Sequence, residues 1–117
     1  MLSREWQHPS MLIVLTTVSN SDEASRLANS IVESRLAACV QILPQMTSVY
    51  FWEGKVQSEP EHLLLIKTLE ERFDELSEFI KKNHSYDVPE IVAMAANRVS
   101  DDYLTWIRGF TSQNRER

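Results

Sequence analysis

The chain is short of the residues on which several kinds of chemistry depend. It has one cysteine, Cys39, among 117 residues, so no disulfide can form within it and a reducing compartment is expected. Its two glycines, Gly54 and Gly109, leave no loop that could cradle a phosphate. No P-loop, GxGxxG pattern or nucleophile elbow is present, and an enzyme is not expected. Twelve Lys and Arg stand against seventeen Asp and Glu, a net charge of −5. No basic stripe is dense enough to hold a phosphate backbone, which disfavours nucleic acid as a partner. The apolar run MLIVL from Met11 is too short to span a bilayer. REWQH before it is mixed in charge and no small-residue cleavage site follows, so it does not read as a signal peptide. The expectation is a cytoplasmic protein with no membrane partner. Three histidines, His8, His62 and His84, without CxxC or HxxxH spacing, argue against a zinc centre built by one chain.

Hydrophobic residues make up 43% and charged residues 25%, an ordinary globular balance with little room for linkers. The length suits one domain with a real core. Residues 1–10 lack periodicity and read as a flexible extension, 11–112 as the fold, and 113–117 as a polar tail.

MLIVLTTV, from Met11, is β-rich and apolar on both alternating faces, as an interior strand is. Asn20, three positions before Glu23, offers a helix cap. Ala24, Leu27, Ala28, Ile31 and Val32 then form one stripe of an amphipathic helix ending near Leu36. The next segment, read as a single strand over 38–53, would run about 50 Å at roughly 3.3 Å per residue. A domain of this size has a radius of gyration near ~13 Å, so the hairpin must bend or project. Pro44 cannot donate to a ladder, which places it at a sheet edge or at a bulge. Gly54 marks the turn, and HLLLIKT on the return strand is apolar on both faces. Thr68 and Glu71 form a capping-box pattern before a helix striped by Phe73, Leu76, Phe79 and Ile80. HSYDVPE leads to a fourth strand, IVAMAAN. Ser100 caps a last short helix whose Tyr103, Trp106, Ile107 and Phe110 share one face.

The order β-α-β-β-α-β with a C-terminal helix predicts an α+β, ferredoxin-like sandwich with sheet order 4-1-3-2. Two helices cover one face of four strands. The other face is apolar and needs a cover, and together with the overhanging hairpin it points to a homo-oligomer.

Candidate binding residues concentrate in HSYDVPEIV, where His84, Tyr86, Asp87 and Glu90 lie within seven positions. His84 reads either as a helix-end residue suited to the dipole or as a metal ligand. Cys39 reads as a small buried hydrophobe or as a thiolate. Lys67, ending an apolar strand, needs an anionic partner. That partner is either Glu90, Asp87 or Glu53 in a salt bridge, or a small anionic ligand in a cleft. Tyr50 and Trp52 share a face of the edge strand, as interface aromatics or as a stacking platform.

The segments RLAACVQILP, TSVYFWEGKVQ, LLLIKT, HSYDVPEIV and YLTWI, spread over 11–110, resemble the CutA family, named for divalent-cation tolerance. The resemblance implies a ferredoxin-like protomer in a tight homotrimer whose long hairpins join neighbours edge to edge. It is similar in plan to PII-type signalling trimers, which bind small ligands between subunits. It also implies weak binding of a divalent metal, copper above all. The family's metal donors, a first-strand cysteine and paired histidines after the second helix, fall here on Thr16, Asn83 and His84, so His84 alone is kept. The implied site is His84 with Glu90, or with Cys39 of a neighbouring copy, beside a cleft of Lys67, Tyr86, Asp87 and Trp52.

Overall fold

Residues 11–112 are described by the computed structural model. Strand β1 (Met11–Val18) runs through the middle of an antiparallel sheet. It pairs along its whole length with β4 (Lys55–Leu69), from Met11 opposite Leu69 to Val18 opposite His62. On its other side lies the short β5 (Val92–Ala95), less than the IVAMAAN segment expected. With β2 (Cys39–Ile42) the order is β2-β4-β1-β5, the order predicted from the alternation of strands and helices. The two central strands are those whose apolar residues occupy both faces, because each face must bury something.

The strand expected over 38–53 is divided at Pro44 into β2 and β3 (Met46–Trp52). Four residue steps from Ile42 to Met46 face only three from Leu64 to Glu61 on β4. That is a one-residue bulge, sited where proline has no N–H to give the ladder. Beyond the bulge, β3 follows the outer half of β4 to a two-residue turn. Glu53 (φ 51°) and Gly54 (φ 82°) both adopt left-handed backbone there, matching the twist of a tight hairpin. The hairpin accounts for dimensions of 51 × 35 × 23 Å and a radius of gyration of 15.8 Å, larger than the ~13 Å of a compact domain this size.

Helices α1 (Ser21–Glu33) and α2 (Phe73–Asn83) cover one sheet face. Their Leu27, Ile31, Leu76 and Ile80 bury against Val14, Leu64 and Ile66. Asn20 caps α1 as expected, its side-chain oxygen accepting from the Glu23 N–H at 2.8 Å. The helix ends before Leu36. Arg35 turns left-handed (φ 60°), and the N–H groups of Arg35 and Leu36 return to the carbonyls of Val32 and Ile31, a Schellman closure.

The capping box expected at Thr68 and Glu71 does not form. Thr68 is still in β4, and a 3-10 turn (Glu70–Arg72) precedes α2 without a side-chain cap. The buried Thr68 hydroxyl instead donates to the Leu36 carbonyl at 2.6 Å, tying β4 to the end of α1. Thr68→Val keeps the shape but strips that carbonyl of its donor. A loss of about 1–2 kcal/mol in unfolding free energy is expected by urea titration.

Helix α3 (Asp101–Thr111) packs on the opposite sheet face, at one end only. Ile107 meets Met11 and Leu69, with Ile13, Tyr103 and Leu104 around them. Trp106 is exposed, so the buried face of α3 runs through Ile107 and Thr111 and not through Trp106. Ser100 occupies the cap position, but its side chain makes no capping bond. The rest of this sheet face carries half-buried Leu15, Leu63 and Leu65 and exposed Val92 and Met94. No helix among the described residues is long and apolar enough to cross a membrane.

Candidate functional site

The segment linking α2 to β5 is held by two buried side chains. His84 closes α2 with a fully buried side chain. One ring nitrogen, Nδ1, accepts the Tyr86 N–H at 3.0 Å, so Nε2 carries the proton and donates to the Thr17 carbonyl at 2.7 Å. With both nitrogens engaged, the imidazole stitches the segment to the end of β1 and presents no free lone pair.

Glu23 does the same from the first turn of α1. Its buried carboxylate accepts from the N–H and the hydroxyl of Ser85, both at 3.0 Å, and from Ser19 at 3.4 Å. Burial pushes the Glu23 carboxyl upward. The two Ser85 bonds, the imidazole of His84 when protonated and the Ser19 bond outweigh it, holding the group below its ordinary value. As the third residue of the helix, Glu23 sits where a capping box would turn its carboxylate back to Asn20. It reaches Ser85 instead.

Held in this way, Tyr86 projects its hydroxyl to Glu61 on β4, donating to Oε2 at 2.7 Å. Burial first, and then the Glu61 carboxylate, push the Tyr86 hydroxyl far above its ordinary value, so it stays a donor. Around this pair opens a cleft of about 790 Å³ between the projecting hairpin and the 86–90 segment. Tyr50 and Trp52 line its hairpin wall, Tyr86, Asp87 and Glu90 the opposite one, and Thr17 and Glu61 its base. Among the described residues, every charged side chain lining it is a carboxylate.

The structure therefore brings together Trp52, Tyr86, Asp87 and Glu90 among the expected residues, and separates the rest. Lys67 stands six residues along β4 from Glu61, roughly 20 Å at ~3.3 Å per residue. Its ammonium lies 5.7 Å from the Tyr103 ring centroid, a cation–π contact replacing the salt bridge expected to Glu90, Asp87 or Glu53. Cys39, half-buried, sits opposite Lys67 in the β2–β4 ladder, away from the cleft. The expected grouping of His84, Glu90 and Cys39 is not assembled within one chain. Among the described residues no three His, Cys, Asp or Glu side chains converge as a metal centre.

Glu61, Glu23 and Thr17 went unread as residues of the site. Glu61 shares a sheet face with Leu63 and Leu65, and a carboxylate at that parity of an apolar strand is the signal that could have found it. Glu23 carried a signal only as a cap.

The family model described as CutA1 divalent ion tolerance protein matches residues 12–109. This chain belongs to that family. It is 49% identical over 100 residues to the chloroplastic protein CutA of Arabidopsis thaliana, a match covering 86% of this chain and 55% of that one. Against the divalent-cation tolerance protein CutA of Thermus thermophilus it is 46% identical over 96 residues, covering 82% and 93%. The crystal structure of CutA1 from Oryza sativa superimposes with a TM-score of 0.87 at 46% identity, over 89% of this chain and 95% of that one. The chain spans a little over half the length of the plant relatives it matches. The CutA1 resemblance read from its segments is thereby established, and with it the α+β fold.

Proposed function

We propose that this CutA1-family chain works as a cytoplasmic homotrimer that responds to divalent cations, copper among them, and binds them weakly in clefts between subunits without catalysis. The observation that carries this reading is the cleft itself, open to solvent and lined by Glu61, Asp87 and Glu90 with no basic side chain among the described residues. Asp87 and Glu90, both exposed, are the donors within reach of an entering cation. Two carboxylates make a weak shell, and a fuller one needs donors from a second copy. The bare apolar face beside the cleft supports such an assembly. His84 enters the shell only by leaving Thr17 and Tyr86, and Cys39 only from a neighbouring copy. The PII-like alternative, a scaffold for a small anionic ligand, gains nothing from Lys67, which lies under Tyr103.

Calorimetric titration with CuCl2 tests the reading on protein whose mass in solution is first measured by light scattering. A mass of three chains and a weak saturable isotherm are expected, with affinity lowered about tenfold or more in the Asp87→Asn, Glu90→Gln double variant. A monomer, or identical isotherms for the two proteins, overturns it.

A further inference from the structure

We infer that α3 is a latched strap, a helix that lifts off the sheet as a unit while the sandwich stays folded, with the Arg35 side chain as its latch. The device is separate from the cation cleft, which no residue of α3 lines. Latch and seam both lie within one chain.

The left-handed position that closes a helix is one that glycine fills without steric cost and a residue with a Cβ does not. Arg35 stands there after α1, at φ 60°. Its backbone is fixed without help from α3. Its N–H returns to the Val32 carbonyl at 2.9 Å, and its own carbonyl accepts from Arg72 Nη2 at 3.2 Å. Arg72 is in turn paired with Glu75 at 2.9 Å. What an arginine adds over a glycine is therefore its side chain. The guanidinium lies 4.3 Å from the Phe110 ring centroid and donates from Nη1 to the Phe110 carbonyl at 3.2 Å. That carbonyl is in the last turn of α3, where the helix supplies no partner of its own and a positive charge suits the dipole. The bond is exposed, so it breaks and reforms without disturbing the core.

The packing under α3 lets it go separately. Ile107 forms a small cluster with Met11 and Leu69, distinct from the core that α1 and α2 cover on the other sheet face. Of α3 itself, Ile107 and Thr111 are the buried residues. The Thr111 hydroxyl, at 1% exposure, has no hydrogen-bond partner among the described residues. A buried hydroxyl without a partner is a cost of the closed state that water relieves in the open one. A small satellite cluster, an orphan hydroxyl and a surface latch are features of an element that opens well short of global unfolding. Opening joins the Met11 and Leu69 end of the sheet face to the apolar stretch at Leu15 and Leu65. It also takes the Tyr103 ring away from the Lys67 ammonium, 5.7 Å from it when closed.

Amide hydrogen exchange read by mass spectrometry on the whole protein, where reclosing outruns exchange, tests the device. In the wild type the amides of α3 should exchange faster than those of α1, α2 and β1. Arg35→Gly eases the turn that closes α1 while deleting the latch. It should speed exchange in α3 about tenfold and leave α1 and α2 unchanged. Thr111→Val keeps the shape without the orphan hydroxyl and should slow exchange in α3 about threefold. Opposite signs from the two substitutions mark a latch closing over an imperfect seam. Protection of α3 equal to that of β1 in the wild type overturns the inference, as does an unchanged α3 in Arg35→Gly. Equal losses in α3, α1 and β1 also overturn it, because the opening is then global, and so does Thr111→Val speeding exchange. If Arg35→Gly instead changes the mass in solution by light scattering, assembly and not the latch holds α3, and the inference is likewise overturned.

Discussion

His84→Ala is expected to lower the unfolding free energy by about 3–4 kcal/mol, measured by urea titration at fixed protein concentration. Three effects add at one position. The fully buried ring leaves a cavity, the Thr17 carbonyl loses its donor, and the Tyr86 N–H loses its acceptor. None of these groups can turn to water without moving the segment. His84→Gln should recover about 1–2 kcal/mol, because its amide can still donate to Thr17. Binding in the cleft should weaken in His84→Ala as well, since Tyr86 is no longer held. A loss below about 1 kcal/mol would show that the imidazole is not the stitch its geometry describes.

Glu23→Gln is expected to cost about 1.5–3 kcal/mol at neutral pH, the range for hydrogen bonds to a charged group. The carboxylate accepts from Ser85 twice and from Ser19. An amide offers one oxygen and turns an NH2 group toward those donors. The pH dependence follows from the lowered folded-state value of Glu23. A carboxyl held below its ordinary 4.5 contributes stability that is fully present above that pH. The contribution fades as pH falls from there through the folded-state value, where both folded and unfolded chains bind the proton. Wild type and Glu23→Gln should therefore differ most at pH 7 and converge toward pH 3. Denaturant midpoints at the two pH values check this, and an unchanged gap would mean that Glu23 acts by shape alone.

These two side chains also mark where reading the sequence stops. Asn20 as a cap, Pro44 as an interruption and Gly54 as a turn were legible because each acts through its own backbone or one a few residues away. Sheet order was legible because the alternation β-α-β-β-α-β fits the split βαβ arrangement. Thr68 and Glu71 matched a capping pattern, yet the Thr68 hydroxyl went to Leu36, thirty-two residues away. Glu23 matched a capping pattern too, and its carboxylate went to Ser85, sixty-two residues away. A local motif names a partner that is always available, and packing can supply a better one. Trp106 shows the same limit on a helix, since periodicity assigned it to the buried stripe and α3 docks with it outward.

The sequence by itself determined the strand and helix order, the projecting hairpin, and the concentration of Tyr86, Asp87 and Glu90 in one short connection. Periodicity and the backbone limits of proline and glycine act over a few residues, so they are written in the chain. Only the tertiary structure decided the sign of the cleft. It sent Lys67 under Tyr103 at the far end of the sheet face, turned both nitrogens of His84 inward, and raised Glu61 beneath Tyr86. A side chain's charge is given by its letter, but the potential of a cavity depends on which letters share it.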